Sequence, residues 1–412
     1  MRDESKPRPR LPPSHILTHS PSYPLRPPSA QPVYTVWRGY TSMNGRSGVR
    51  IAVVGLHFGA AFAPIYHAHP DVVRVAICDL DDALLHRVGD EAGIDDRFTR
   101  LEDILDSDQY DAVHLLTPVP LHVEQSLAAL AAGKHCACAV PMATDLNDLW
   151  RIIAVQRASN KNYMMMETAV YTREYLFARD LYDRGELGKL TFLRGTYFQD
   201  LEGDYPRYWR AQPPMHYATH AVAPLLGLAQ TRATKVCCFG SGRLRPDIQQ
   251  PGGNIFPLQT AIFRLDESEI AAEVTRSWFQ TARSYTESFS VYGDKKGFEW
   301  QQLEHEDSLL FTLDPVQPGR RGRPVTVERV SPPDRLDLLP QALARFTRGG
   351  HGGSHPHLAH EFIRSIIEER PPAIHAVRSA EWTAPGICAH ESAMRDGDPV
   401  IIPDFAGADG PR

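Results

Sequence analysis

The chain has 412 residues, a formal net charge of −6 and 42% hydrophobic residues. This length favours two domains, each large enough to bury its own core. The mild acidic balance argues against a nucleic-acid partner, which would need clustered Lys and Arg. No run of about 18 apolar residues exists, so we expect no membrane partner.

The first 47 residues differ in composition from the rest of the chain. They are rich in Pro, Ser and Arg and lack any apolar periodicity, which predicts a disordered tail. The tail has no apolar core of a secretory signal. Met43 stands just before the patterned sequence begins, so it is left open whether residues 1–42 are translated.

The chain holds six cysteines, and no two of them have the spacing of a zinc site. A chain of this length does not need a disulfide scaffold. We therefore expect free thiols that pack as small apolar side chains, and a reducing cytoplasm as the location. The six are Cys78, Cys136, Cys138, Cys237, Cys238 and Cys388.

From Val49 onward, short apolar runs alternate with amphipathic stretches. The runs are "VRIAVVG", "VVRVAICD", "YDAVHLLTP", "HCACAVP" and "KNYMMMET". Uniformly apolar strands separated by helices are typical of a parallel sheet with helices on both faces. Residues 48–168 are therefore predicted to form a doubly wound Rossmann domain.

The pattern changes after residue 168. Six strand-like runs follow with few helices between them, from "LTFLRGTYFQD" to "GFEWQQLE", and two helices close the chain. Residues 169–405 are predicted to form an α/β domain with an open, largely antiparallel sheet. The stretch "PVQPGRRGRPVTVERVSPPDR" is expected to be a surface excursion.

The turn after the first strand, "GLHFGA", partly matches the dinucleotide fingerprint G-x-G-x-x-G/A. Gly55 and Ala60 fill the first and third positions. His57 replaces the middle glycine, which normally lets the backbone approach the pyrophosphate. Gly59 supplies local freedom, and Phe58 lies in the same turn. We assign Gly55, His57, Phe58 and Gly59 to cofactor binding.

The second strand ends in Asp79, 24 positions after Gly55. A carboxylate at that position binds the ribose hydroxyls and repels a 2′-phosphate, so NAD is favoured over NADP. The alternative is that Asp79 only caps the helix that starts near Asp82. The loop "TPVPLH" supplies three more candidates for the nicotinamide side: Thr117, Pro118 and His122.

With these residues in place, the chain resembles the Gfo/Idh/MocA oxidoreductases. The resemblance covers roughly residues 49–405 and rests on "VVGLHFGA", "AICD", "LLTPVPLHVEQSLAALAAGKHC", "PMATDLNDL", "GELGKLTFLRG" and "HYATHAVAPLL". It implies a Rossmann domain followed by a domain whose open sheet forms a dimer interface, hence a homodimer or homotetramer. It also implies hydride transfer between NAD(P) and a ring hydroxyl of a sugar or cyclitol.

Two motifs of the family are altered here. The usual Glu-Lys-Pro reads Ala139-Val140-Pro141, so the proline beside the nicotinamide is kept and the lysine is lost. The usual Asp-x-Gly-x-His reads "HYATH", which keeps His220 and replaces the aspartate with His216. We assign Pro141 to cofactor binding.

Oxidation of an alcohol needs a base near the hydroxyl, which a valine cannot supply and a histidine can. We predict that His220 is the acid/base and that His216, four residues earlier on the same helical face, assists it. Tyr217 is the second choice as proton carrier. The alternatives are that both histidines are satisfied polar residues at a buried helix start, or that the protein binds cofactor without catalysis.

The segment "GGHGGSHPHLAHEF" places four glycines around His351 and three more histidines after it. We predict that His351 or His355 lines the sugar pocket. Histidine arrays can bind zinc, but no Cys or carboxylate has ligand spacing to them, so no metal is assigned. Ser354 as a helix cap would explain the segment without a function.

The remaining substrate candidates flank the altered motif. Glu167 and Tyr171 follow the fifth strand, together with Arg173, and face the predicted cleft. The stretch "YWR" just before "HYATH" offers an aromatic face and a donor for a sugar ring. We assign Glu167, Tyr171, Trp209 and Arg210 to substrate binding; Arg276 and Trp278 are weaker candidates.

Three functions follow from this pattern. The first is an NAD-dependent oxidoreductase acting on a CH–OH group of a sugar, sugar derivative or cyclitol. The second is a glycosidase of the same fold that uses bound NAD for transient oxidation. The third is a non-catalytic NAD-dependent sensor. Net NADH formation, aglycone release without net NADH, or NAD binding alone would distinguish them.

Overall fold

The structure is a computed structural model that describes residues 48–203, 205–206, 208–250, 253–266, 269–303 and 306–407. The predicted disordered tail, residues 1–47, lies outside the described residues. The described chain contains two sheets, one of six strands and one of nine.

The six-stranded sheet is parallel throughout. Its strands are β1 (Val49–Val54), β2 (Val72–Cys78), β3 (Asp96–Phe98), β4 (Ala112–Leu115), β5 (His135–Cys138) and β6 (Tyr163–Met165). Their order is β3-β2-β1-β4-β5-β6, and each neighbouring pair is parallel. This order is that of a dinucleotide-binding fold, so the predicted Rossmann sheet is confirmed. Sequence analysis missed β3, whose three residues are only half buried.

Helices cover this sheet. They are α1 (Leu56–Gly59), α2 (Ala63–Ala68), α3 (Asp82–Ala92), α4 (Leu101–Leu105), α5 (His122–Ala131) and α6 (Leu146–Ser159). The carboxylate of Asp81 caps α3 by accepting from the N–H of Leu84 at 3.0 Å. Asp81, and not Asp79, therefore satisfies the start of that helix.

The second part of the chain contains the nine-stranded sheet and the helices that accompany it. In chain order, its elements are α7 (Arg173–Asp183), β7 (Leu190–Phe198), α8 (Tyr208–Ala211), α9 (Thr219–Ala229), β8 (Ala233–Ser241), β9 (Leu258–Leu265), β10 (Ala271–Ser277), β11 (Thr286–Gly293), β12 (Lys296–Glu299), β13 (Ser308–Leu313), β14 (Val325–Val330), α10 (His355–Ile367), α11 (Ala376–Met394) and β15 (Val400–Ile401). Of the helices in the described ranges, none is both long and apolar enough to cross a bilayer.

The strands run β14-β13-β12-β11-β7-β10-β9-β8-β15, and among these neighbours only β7 and β10 are parallel. The predicted open, largely antiparallel sheet is confirmed. The stretch expected to be a surface excursion is exposed, and part of it forms the edge strand β14. That strand is exposed along nearly its whole length, and sequence analysis did not identify it as a strand.

Close packing of α9 on β7 fixes the position of the catalytic candidates. A Cβ at Gly195 on β7 would overlap the carbonyl oxygen of Ala221 on α9. The absence of a side chain lets the helix lie directly against the strand. His220, the neighbour of Ala221, is thereby held over the sheet at the start of the helix.

Candidate functional site

A cavity of about 1600 Å³ lies at the carboxyl ends of the parallel strands and extends to the nine-stranded sheet. Residues that directly follow β1, β2, β4, β5 and β6 line it on one side. Tyr197 of β7 and Glu287 of β11 line it on the other, and the two are paired across these strands. This is where ligands bind in open α/β sheets.

The cofactor candidates Gly55, His57, Phe58 and Asp79 all line this cavity. Gly55 has a φ of 91°, which favours glycine, and a Cβ there would come within 2.7 Å of the Leu116 backbone. Gly59 is not among the lining residues, because it packs against Val53 of β1. Its predicted contact with the cofactor is therefore wrong.

Asp79 is fixed by two backbone hydrogen bonds. Its Oδ2 accepts from the N–H of Leu56 at 2.6 Å, and its Oδ1 accepts from the N–H of Asp81 at 2.9 Å. The carboxylate thus lies between the end of β2 and the turn at Gly55, facing the cavity. A charged acceptor at this edge fits the ribose hydroxyls of a dinucleotide and disfavours an additional phosphate.

His122 joins the two loops that border the nicotinamide side. Its Nδ1 donates to the carbonyl oxygen of Pro141 and its Nε2 donates to that of Thr117, each at 2.9 Å. Burial alone would lower the pKa of His122, but the adjacent Cys138 and the two carbonyl acceptors raise it to about 9. Thr117, Pro118 and His122 line the cavity. Pro141 follows a cis peptide bond and is not among the lining residues.

His220 is held by a carboxylate at the far end of the cavity. Its Nδ1 lies 2.5 Å from Oε1 of Glu167, which also accepts from the N–H of Ala169. Burial would lower the pKa of His220, and the carboxylates of Glu167 and Glu287 raise it above its ordinary value. Glu167 is fully buried and does not line the cavity, so its predicted contact with substrate is wrong. It positions His220 instead.

Glu287 was missed by sequence analysis. It lies 3.8 Å from Nδ1 of His220, and its other oxygen accepts from the Tyr285 hydroxyl at 2.8 Å. Burial would raise the pKa of Glu287, but His220 and His351 lower it to about 2. Only its place opposite Tyr197 in the sheet brings it to the cavity, and no local motif signals that pairing.

The predicted pairing of His216 with His220 is wrong. His216 lies in a 3-10 helix, Pro214–Tyr217, that ends at Ala218 before α9 begins. The break turns its ring away from the cavity and onto His390 of α11, with ring centroids 5.2 Å apart. Burial, followed by the charge of His390, lowers the pKa of His216 to about 3.

Tyr217 and Trp209 line the cavity beside His220. The ring centroid of Tyr217 lies 5.5 Å from that of His220 and 5.0 Å from that of Trp209. Burial raises the pKa of Tyr217 well above its ordinary value. This favours the neutral phenol, which can donate a hydrogen bond and is a poor base.

His351 also lines the cavity, whereas His355, which was predicted together with it, does not. Its Nδ1 lies 3.6 Å from Glu287, and its ring stacks on His220 with centroids 6.1 Å apart. His355 instead packs on Phe62 in the core, with centroids 4.5 Å apart. The prediction for His355 as a pocket residue is therefore wrong.

Three further residues that were predicted to contact substrate do not line the cavity. Tyr171 is 2% exposed in the core, because the turn after β6 directs it inward. Arg210 follows Trp209 on α8 and does not line the cavity, and neither does the buried Arg276. The guanidinium of Arg276 donates to the carbonyl oxygens of Tyr197 and Ser277.

The first part of the chain is similar to a known protein family. Residues 49–167 match the family model described as the oxidoreductase family with an NAD-binding Rossmann fold. The match supports the predicted resemblance to the Gfo/Idh/MocA oxidoreductases. The match confirms the predicted NAD-binding Rossmann domain and the predicted NAD-dependent oxidoreductase.

Two solved structures share the fold of this chain. Levoglucosan dehydrogenase in complex with NADH and levoglucosan superposes with a TM-score of 0.73 at 20% identity, covering 86% of this chain and 100% of that one. Myo-inositol 2-dehydrogenase from Lactobacillus plantarum gives 0.66 at 19%, covering 86% and 100%. At such identities these structures establish the shared fold alone.

Two relatives with similar sequences are named as glycosyl hydrolases and not as dehydrogenases. A glycosyl hydrolase family 109 protein of Saccharopolyspora erythraea is 22% identical over 428 residues, covering 93% of this chain and 87% of the relative. One from Porphyromonas gingivalis is 27% identical over 411 residues, covering 87% and 84%.

Proposed function

We propose that this protein is an NAD-dependent oxidoreductase that oxidises a CH–OH group of a sugar, sugar derivative or cyclitol. The observation that carries the proposal is the Glu167–His220 pair at the end of the cavity whose other end holds Gly55 and Asp79. One cavity thus offers a dinucleotide site and a proton acceptor.

The residues at the first end fit the cofactor. Asp79 would hold the ribose hydroxyls, and the turn at Gly55 with the loop Thr117–Pro118 would hold the pyrophosphate and the nicotinamide ribose. Bound NAD would supply the hydride acceptor for the alcohol carbon. His122 joins the loops at this end and thereby fixes their spacing.

The residues at the second end would bind and deprotonate the alcohol. Glu167 fixes the imidazole through Nδ1, so Nε2 is left as the proton acceptor for the substrate hydroxyl. Tyr217 would donate a hydrogen bond to the same oxygen. Trp209 offers an aromatic face on which a sugar ring can stack.

The test is a screen of free sugars and cyclitols with NAD, followed by NADH absorbance, on wild type and on His220→Ala. We expect His220→Ala to lose about 10²- to 10⁴-fold in kcat and to bind NAD as wild type does. His216→Ala is the matched control and should retain activity. Full turnover of His220→Ala would overturn the assignment of the base.

The names of the curated relatives favour a second candidate, a glycosidase that uses bound NAD transiently. The same screen separates the two functions when it includes aryl glycosides. Release of phenol without net NADH would support the glycosidase and contradict net oxidation. NAD binding with neither product would support a non-catalytic sensor.

We also propose that the protein forms a homodimer, or a tetramer of two dimers, through the uncovered face of the nine-stranded sheet. Apolar side chains on that face are highly exposed, among them Phe239 at 59%, Ile262 at 47% and Ile401 at 71%. Single-chain exposure of this kind is typical of an interface. Light scattering on Ile262→Asp should show a monomer; an unchanged assembly would contradict this face.

A location in the reducing cytoplasm is proposed as well. All six cysteines are free thiols, and five of them are buried. Free buried thiols are typical of proteins in reducing compartments. Fractionation of cells that make the protein would test this.

A further inference from the structure

Glu167, His220 and Glu287 bring three ligand atoms within 4.8 Å of one another. They come from the turn after β6, the start of α9 and β11, and so are far apart in sequence. Their side chains are 0%, 4% and 5% exposed. The tertiary fold, and no sequence motif, assembles this cluster.

Two carboxylate oxygens in the cluster have no hydrogen-bond partner within the described residues. They are Oε2 of Glu167 and Oε1 of Glu287, both inaccessible to solvent. A buried charged oxygen without a hydrogen bond is costly. The cluster contains one imidazole for two carboxylates, and His351 adds a second imidazole beside Glu287 alone, so a cation can take the place of the imidazole protons.

The partnered oxygens of the same carboxylates are oriented by their neighbours. Oε1 of Glu167 accepts from the N–H of Ala169 at 2.9 Å, and Oε2 of Glu287 accepts from the Tyr285 hydroxyl at 2.8 Å. Such contacts fix ligand orientation in metal sites. They leave one oxygen of each carboxylate without a hydrogen bond, and that of Glu287 lies 3.8 Å from Nδ1 of His220.

The cluster is also accessible from the cavity. His220 and Glu287 line it, as does His351, whose Nδ1 is 3.6 Å from Oε2 of Glu287. His351 therefore adds an imidazole nitrogen beside Glu287, next to the cluster. A site with one side open to a cavity can exchange its ion and bind a ligand oxygen.

We propose that Glu167, His220 and Glu287 bind one divalent transition-metal ion, with His351 as a fourth ligand. Two carboxylates and two imidazoles form a mixed oxygen and nitrogen set, which suits Mn²⁺ or Zn²⁺. The ion replaces the proton between Nδ1 of His220 and Glu167, so it and that hydrogen bond exclude each other. An open position on the ion faces the cavity and accepts a hydroxyl or carbonyl oxygen.

This site goes beyond the proposed function and does not depend on it. With the ion bound, His220 is a ligand and no longer a proton acceptor. NADH formation is therefore measured on chelator-treated protein, and metal binding is measured without substrate. Failure of one experiment leaves the other interpretable.

The experiment removes metal from the full chain with EDTA and then adds MnCl₂ or ZnCl₂ separately. After desalting, the metal content is measured by inductively coupled plasma mass spectrometry and the unfolding temperature by calorimetry. We expect about one ion per chain and a higher unfolding temperature. Loss of one carboxylate ligand in Glu287→Gln should weaken binding at least about tenfold.

Glu174→Gln is the matched control, because Glu174 is a buried carboxylate of the same cavity outside the cluster. It should bind the ion as wild type does. Wild-type protein that retains no ion, or Glu287→Gln that matches wild type, would overturn the proposal. If Glu287→Gln does not fold, Mn²⁺ bound to wild type decides: pulsed electron paramagnetic resonance should show coupling to imidazole nitrogen, and its absence overturns the site.

Discussion

The two ends of the cavity are built in different ways. The cofactor end uses the turn at Gly55, the strand end at Asp79 and the loop from Thr117 to His122, all within 68 residues of chain. The substrate end joins Glu167, His220, Glu287 and His351, which span 185 residues. The first end is therefore defined by local turns, and the second by contacts between distant elements.

This difference predicts how each end fails when it is altered. A change at the cofactor end should weaken NAD binding and leave the chemical step intact once NAD is saturating. A change at the substrate end should slow the chemical step and leave NAD binding intact. The predictions below test that separation.

The largest effect is expected for Glu167→Gln at the substrate end. The amide keeps the size of the side chain but no longer stabilises a protonated His220, so kcat should fall on the order of 10²-fold. The dissociation constant for NAD, measured by fluorescence titration, should stay unchanged. If kcat and the affinity for NAD fell by a similar factor, the two ends of the cavity would not be functionally separable.

A smaller effect is expected for Asp79→Ala at the cofactor end. Loss of a charged hydrogen-bond acceptor for the ribose should raise the dissociation constant for NAD about 10- to 100-fold. The preference for NAD over NADP should narrow, because the repulsion of a 2′-phosphate is removed. The value of kcat at saturating NAD should match wild type; a large drop would contradict the comparison.

The smallest effect concerns a pair of buried histidines that joins the parallel sheet to α10. Nε2 of His69, just before β2, lies 3.0 Å from Nδ1 of His360 on α10. Burial, reinforced by nearby positive charge, lowers the pKa of both rings from 6.5 to about 3. Below pH 6.5 the unfolded chain takes up protons that the folded protein does not, so stability falls as the pH falls from about 6.5 toward about 3.

Each such histidine should contribute about 1.4 kcal/mol of lost unfolding free energy per pH unit in that window. Urea unfolding of wild type and His69→Gln at pH 7.5 and pH 5.5 measures the difference. The variant should lose less stability between the two pH values, since one titrating ring is gone. An equal loss in both proteins would show that His69 is not buried in its neutral form.

Sequence reasoning predicted the cofactor end well because its signals are local. The apolar runs identified five of the six parallel strands, and the position of Asp79 followed from the end of one of them. It missed β3, which is only three residues long. Gly59 was misassigned because the motif does not show which glycine faces the strand.

The substrate end was predicted only in part. His220 was placed correctly at the cavity, but spacing alone could not reveal the helix break at Ala218 that separates it from His216. Tyr171 and His355 have the composition of site residues and lie in the core. Glu287 could not be found at all, because only the pairing of β11 with β7 brings it near Glu167, 120 residues earlier.

The absence of a side chain at Gly195 limits how this protein can change. Any substitution there would force α9 off β7 and carry the imidazole of His220 away from Glu287. The cavity wall at Trp209 lies on α8, away from that contact. A change of substrate specificity is therefore better sought by substituting Trp209, while Gly195 is kept unchanged.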